Sequence, residues 1–417
     1  MPARSRFDFD RPCDPPLVHV DVAPSEDAQL PEPVRDRVVV YAVHDGQAIP
    51  PRFRVREDGS PIVDPEELDR EFVRMRDWGA NIVAEELAAA LGISSYASCR
   101  VARVLLDFNR FPGSTPLDNE DALEAMAIAP VFGRALDHRQ KTDLLESCYD
   151  PISAAIETLV ADSLIGISVH TYDEAHRSNN KRAHVSIINL ALSYQRHARL
   201  PFGVFDPMYP DHLAESTCSR ILRDRMSLNL ERSGFRVTHN HPYALPDGSI
   251  EMRAQVWHFF RYLRRRFEAE HPEIVGHPAY ERVFTMLSDT NLRMADAEEL
   301  RSFLHRFRRA HNARRGDLLA ALGAYEHIAA YVRDSSVVQD YRRSPERPSS
   351  VGIEVRKDLV CSFDPETGMP QPTSPEQREV ARQIAQCIAS SIRTYFATDR
   401  QVYETTPRAP LLDDEGP

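Results

Sequence analysis

The chain has 417 residues, 42% of them hydrophobic and 27% charged, with a formal net charge of -12. That length suggests two or three domains, or one large domain with an insertion, and the acidic balance argues against a nucleic-acid protein that relies on bulk positive charge. Six scattered cysteines without a CxxC pair, no apolar run near the roughly 20 residues of a membrane helix, and no signal-peptide core in Met1–Asp10 lead us to expect a cytoplasmic protein with reduced thiols and neither a nucleic-acid nor a membrane partner.

Residues 1–36 are rich in Pro, Asp and Glu and read as an extended arm. Next, Val38–Val43 is an apolar run ending in His44, Asp45 and Gly46. A buried strand running into a polar turn is the usual geometry of a site at the end of a parallel strand, although a lone strand-end histidine is more often structural. Residues 65–92 read as helical, with a capped start at Pro65–Leu68 and an Ala/Leu-rich part at Ala80–Leu91. Asp77 lies inside this region, where a helix cap or surface acid is the plainer reading. In Cys99–Pro112, Val104–Leu106 reads as a strand core. On that reading Arg103, Asp107 and Asn109 share one face. Arg103, Arg110 and Asn109 make a carboxylate clamp, or else the segment holds an Asp–Arg structural pair beside a solvated arginine.

A loop region (114–135) and a helix (139–162, with Pro151 in a first turn) follow. Leu164–Tyr172 is a second apolar strand, and it too ends in a histidine, His170. Two histidines at equivalent strand ends say more than one: with a carboxylate they would make a two-His, one-acid zinc site with an open position. His176, His239 and His241 end no apolar run so clearly. Val185–Leu192 fits a strand or a helix, and Arg236–Tyr243 a strand into a turn. Residues 253–345 read as an all-helical insertion. Its arginines (Arg301, Arg306, Arg308, Arg309, Arg314 and Arg315) suit a solvated or interface-facing surface better than a nucleic-acid face. Val351–Val360 reads as a buried strand with Glu354 and Arg356 on one face. That is either an ion pair or a catalytic carboxylate beside a substrate-binding arginine. Ser374 and Gln377 have capping-box spacing and start a helix running to about Thr394 or Ala397. The acidic tail, 401–417, is expected to be mobile.

Taken together, several segments resemble the N-formylglutamate amidohydrolase (deformylase) family, in the family's order. They are Val43–Gly46, Asp77 ahead of an Ala/Leu helix, Arg103–Arg110, Tyr149–Pro151, Val169–Thr171, Asn240–Tyr243 and Gly352–Leu359. The resemblance implies an α/β fold like that of zinc carboxypeptidases, a mixed central sheet flanked by helices, built here from 37–252 and 346–400. It implies that one zinc ion serves hydrolysis of an amide, of N-formyl or N-acyl amino acid type, on a carboxylate-bearing substrate. By position, His44 and His170 look like metal ligands, with Asp77 as the acidic ligand and Asp45 as the fallback. Glu354 looks like the general base and Asn109–Arg110 like a pair holding the substrate carboxylate. Arg103 and Arg356 would be further substrate or oxyanion contacts. The chain departs from the pattern at Val43 and Asp45, where the family usually has Pro and Ser, and at Ser153, where a His is common. Gln47 stands where carboxypeptidases have a metal-binding Glu. A metallopeptidase or tailoring hydrolase with a larger peptide-like substrate is the alternative enzyme, and a non-catalytic binding or assembly protein the alternative class. The insertion would serve as a lid, a docking surface or a homo-oligomer interface.

Overall fold

The computed structural model describes residues 5–25, 30–112, 126–175, 181–191, 206–210, 213, 216–246, 248–291, 293–304, 315–344 and 347–399. The 401–417 tail, His176, Leu192 and residues 113–125 lie outside these, as do Arg306, Arg308, Arg309 and Arg314.

Alternation along the strands decides the architecture. In β4 (Ile165–Tyr172), Ile165, Ile167 and Val169 point one way and Gly166, Ser168 and His170 the other. In β7 (Ser349–Arg356), Val351, Ile353 and Val355 oppose Ser350, Gly352 and Glu354. These strands pair in parallel, with His170 opposite Glu354. β2 (Val38–Ala42) runs parallel to β4 on its other side, and β3 (Ser95–Cys99) parallel to β2. β5 (Val185–Ile188) joins β7 antiparallel and β6 (Val237–His239) joins β5 in parallel. With β1 (Leu17–Asp21) outermost, the seven-stranded order is β1-β3-β2-β4-β7-β5-β6. This is a mixed α/β sheet flanked by helices, as expected.

The apolar face is covered by the helices Ala80–Leu91, Arg220–Arg232 and Pro375–Thr394. Each valine or isoleucine buried there is worth about 1.5–3 kcal/mol. The Pro375 helix opens with the expected capping box between Ser374 and Gln377. The opposite face is small and polar and lies beneath the helix Ile250–Glu270, which packs on β7. That helix serves two cores. Ile250, Ala254 and Trp257 join the core under the site loops. Met252, Val256, Phe259 and Phe260 join a separate core made with Pro278–Ser288, Ala295–Leu304, Arg315–Asp334 and Val337–Arg343. The helical part therefore begins inside the shared helix, three residues before the expected position 253.

Three expectations need correction. The N-terminal arm contains β1, paired antiparallel with β3, and Phe9 is buried in the core. A five-residue edge strand burying only Leu17 leaves almost no periodicity to read. Val104–Leu106 is no strand: Leu105 N and Leu106 N both donate to Ala102 O, so the run is a turn whose apolar side chains sink into the core. β7 ends at Arg356, and Lys357–Leu359 forms a 3-10 turn.

Candidate metal centre

β2 delivers His44 at its C-terminal end, on the turn Val43–Gly46. Gly46 cannot carry a side chain there, because a Cβ would lie 2.3 Å from Val101 O. The turn is thus pressed onto the backbone that leads into Arg103 and Asp107. Asp77 sits between the helices Pro65–Met75 and Ala80–Leu91, and its N–H donates to His44 O at 3.1 Å. Thr171 Oγ1 donates to Trp78 O at 3.1 Å, tying this connection to β4 beside His170.

His44, Asp77 and His170, all buried, form the one group of at least three His, Cys, Asp or Glu side chains among the described residues that could hold a metal ion. His170 Nδ1 is 2.9 Å from Asp77 Oδ2, His44 Nδ1 is 3.4 Å from the same oxygen, and the two Nδ1 atoms are 3.2 Å apart. A tetrahedral zinc site with bonds of roughly 2.0–2.1 Å has ligand–ligand edges of about 3.3–3.4 Å, so the triangle is the right size. The remaining ring nitrogens are also engaged. His44 Nε2 lies 2.9 Å from Asp107 Oδ1 and His170 Nε2 lies 2.6 Å from Ser168 Oγ. When both Nε2 atoms carry the ring protons, two imidazole lone pairs and a carboxylate converge, a donor set that could hold a metal ion. Burial opposes charge on His170, but its hydrogen bond to Asp77 and the charges of Glu354, Asp77 and Glu251 outweigh that and lift its pKa to about 9. The cluster attracts positive charge.

Arg103 holds this geometry together. Nη1 donates to Asp77 Oδ1 at 2.9 Å, while Nη2 and Nε donate to Asp107 Oδ2 at 3.0 and 3.1 Å. Burial would raise both carboxyls, but Arg103 and the two histidines at Asp77, and Arg103, His44 and Arg110 at Asp107, hold them below the usual range. Both hands of the guanidinium are therefore on protein carboxylates. Asp45 faces away from the triangle: it accepts from Arg76 Nε at 2.7 Å and from Asn81 N at 3.0 Å.

Glu354 stands beside His170, and Ser186 of β5 flanks it on the other side. Its Oε2 is buried with no hydrogen-bond partner. Burial holds its pKa above the ordinary range, opposed chiefly by His170. Arg356 is occupied elsewhere, donating to Asp358 at 2.6 and 2.9 Å and to Arg182 O at 3.2 Å. Asn109 Nδ2 approaches His170 Nε2 at 3.4 Å, and its Oδ1 has no partner. Arg110 keeps 36% of its side chain exposed and is only 3.9 Å from Asp107. Its backbone is fixed by Tyr149, whose hydroxyl donates to Arg110 O at 3.0 Å, and by Gly248, where a Cβ would lie 2.5 Å from the Arg110 carbonyl carbon.

The structure thus brings His44, Asp77, His170, Glu354, Arg103, Asn109 and Arg110 into one locality and leaves Arg356 outside its hydrogen bonds. Sequence reasoning missed Ser168, although two residues before His170 on the same strand face it was open to a parity argument. The Asp–Arg pair is present between Asp107 and Arg103, but nothing in a sequence brings Asp107 to the back of His44.

A parallel-centred sheet with a buried His/Asp cluster at its strand ends makes this an α/β protein whose candidate site lies at the strand ends. The particular family follows from sequence comparison: residues 36–276, more than half of the chain, match the N-formylglutamate amidohydrolase family, and the chain belongs to it. It is therefore an amidohydrolase. A solved N-formylglutamate amidohydrolase from Ralstonia eutropha JMP134 shares 15% identity, with 92% of this chain and 99% of that chain covered and a TM-score of 0.48. A gene product from Agrobacterium tumefaciens shares 14% identity over 86% of this chain and 92% of that one, with a TM-score of 0.40. Comparison with curated proteins returns no match. Among the described residues no helix is long and apolar enough to cross a membrane.

Proposed function

We propose that the protein is a zinc-dependent amidohydrolase that cleaves an N-formyl or N-acyl group from a carboxylate-bearing amino acid. The observation that carries this reading is the His44–Asp77–His170 triangle, with Asp107 and Ser168 behind its histidines and the unpartnered Glu354 carboxylate beside it. A zinc ion held by these three residues would supply a Lewis acid for the scissile carbonyl and for water.

The chain's own residues carry the rest. Glu354, beside His170 and with Oε2 free of any hydrogen bond, is placed to accept a proton from the attacking water. It then returns that proton to the departing nitrogen as the C–N bond breaks and a C–O bond takes its place. Arg110, half-exposed and fixed through its own backbone, offers a planar fork to the substrate carboxylate, with Asn109 beside it. Holding that carboxylate sets the amide against Glu354, which is proximity in a physical sense. Arg103 acts indirectly, keeping Asp77 and Asp107 ionised and oriented.

Elemental analysis together with a hydrolysis panel of N-formylglutamate, N-acetylglutamate and N-formyl dipeptides tests the proposal. About one zinc per chain and turnover of at least one N-acyl amino acid are expected. Protein that binds no zinc when dialysed against it and hydrolyses no member of the panel would overturn it.

A further inference from the structure

Between the helix that precedes β4 and the helical part, three helices face each other without closing. Asp150, Ser153, Ala154 and Glu157 form one i, i+3, i+4, i+7 stripe on the helix Asp150–Val160. Trp257, Phe260, Arg261 and Arg264 form a stripe with the same spacing on Ile250–Glu270. Such stripes normally bury each other. Here, with Phe284 and Thr285 and the turn around Asp289, they enclose a cavity of about 570 Å³. That is within the usual range of about 300–1,000 Å³ for small-molecule sites.

The charges on its walls are unevenly matched. Asp150 is paired with Arg293 at 2.8 Å, and Arg264 with Glu268 and Glu281. Asp289 has Arg301 at 3.7 Å. Glu157 makes no hydrogen bond or ion pair among the described residues, and Arg261 gives one donor to Ala161 O at 2.6 Å but meets no carboxylate. Burial lifts the Glu157 carboxyl above its ordinary range, with Arg261 and Arg253 pulling it back. An acid and a base thus line one partly apolar cavity without a direct ion pair between them, although Arg261 acts on Glu157 at longer range. Met294 supplies exposed apolar wall, while Trp257 and Phe284, 2% and 3% exposed, form the floor behind it.

We propose that this cavity is a second ligand site, which takes a zwitterion of the α-amino acid or dipeptide class with an apolar side chain. The ligand's ammonium lies against Glu157, its carboxylate against Arg261, and its side chain against Met294 and Ala154. The site shares no residue with the His44–Asp77–His170 cluster and does not rest on the hydrolase reading.

Isothermal titration of the full chain with L-leucine and with leucyl-leucine tests this. Binding of one equivalent is expected in wild type and in His44→Ala. It should weaken about tenfold or more in Glu157→Gln and in Arg261→Gln, and for the N-acetylated probes. Ala154→Phe, placed at the open side of the cavity, should abolish it without touching either charge. No binding of either probe at millimolar concentration would overturn the proposal. So would binding lost in His44→Ala, which would put the ligand at the metal cluster, or binding unchanged by both charge removals and by Ala154→Phe.

Discussion

Asp107 stands directly behind His44. One carboxylate oxygen lies 2.9 Å from His44 Nε2 and the other is gripped by Arg103 at 3.0 Å. By charge rather than by an aligned hydrogen bond, Asp107 therefore favours a proton on His44 Nε2 and leaves Nδ1 to face Asp77 and His170. A carboxylate behind a metal-binding histidine also makes the imidazole a better donor. Asp107→Asn should lower zinc affinity by about 10- to 100-fold while the protein stays folded. A competition titration against a chromogenic chelator measures this, and unchanged affinity would show that Asp107 is only Arg103's partner.

Arg103 compensates two carboxylates, whose side chains are 3% and 8% exposed. Removing it leaves two buried carboxylates offset only by the histidines and the more distant Arg110. Arg103→Met should therefore destabilise the metal-free protein by about 3 kcal/mol in urea unfolding, as breaking a buried pair does. Arg103→Lys should recover only part of the loss, since one ammonium cannot bridge two carboxylates with the geometry of a fork. A loss below about 0.5 kcal/mol in the methionine variant, the size of an ordinary surface change, would mean the arginine does not hold the cluster together.

Glu354→Gln keeps the shape of the side chain and removes its ability to take a proton. We expect zinc binding to be retained and kcat to fall by about 10²- to 10⁴-fold, the typical contribution of a positioned base. Near wild-type turnover would assign the proton transfer elsewhere.

Arg110→Ala removes a group expected to bind the ground state and the transition state alike. For N-formylglutamate, KM should rise about tenfold or more with a smaller change in kcat. An analogue lacking the carboxylate at that position should be indifferent to the substitution. Equal losses for both substrates would show that Arg110 acts on something other than the carboxylate.

Asp289 offers a test by pH. Burial raises its pKa to about 6, partly opposed by Arg301. An unfolded aspartate titrates near roughly 3.9. Because the folded pKa is the higher one, the folded state holds the proton more tightly. This favours folding below about pH 4 and is lost as pH rises through about 6. Asp289→Asn should therefore stabilise the protein relative to wild type at pH 8, by about 1–2 kcal/mol after allowing for solvent screening at the cavity wall. The difference should shrink towards pH 4. Denaturant melts at the two pH values decide it, and a pH-independent difference would show that Asp289 is not titrating.

What the sequence by itself determined is what local periodicity and chemistry can carry. Val38–Ala42, Ile165–Tyr172 and Ser349–Arg356 are legible as strands because alternation and β-branched residues mark them. His44 and His170 stand out because a polar residue closing an apolar run is visible one residue at a time. Ala80–Leu91 and the Ser374 start are legible from propensity and capping. Tertiary structure decided the rest. The alignment of Arg103 with Asp107 comes from a turn rather than from strand parity, because the backbone after Arg100 bonds to itself, to Ala48 and to Ala127 and Ala129 through isolated bridges instead of along a continuous strand. Arg356, on the same face as Glu354, is drawn away by Asp358 two residues later, a choice of ion pair that parity cannot express. That Asp77, between two helices, reaches the ends of two strands depends on contacts spanning 33 and 93 positions of the chain. These are the hydrogen bond to His44 O and the approach to His170. No local pattern encodes such distances, because they are fixed only when the sheet and its helices pack.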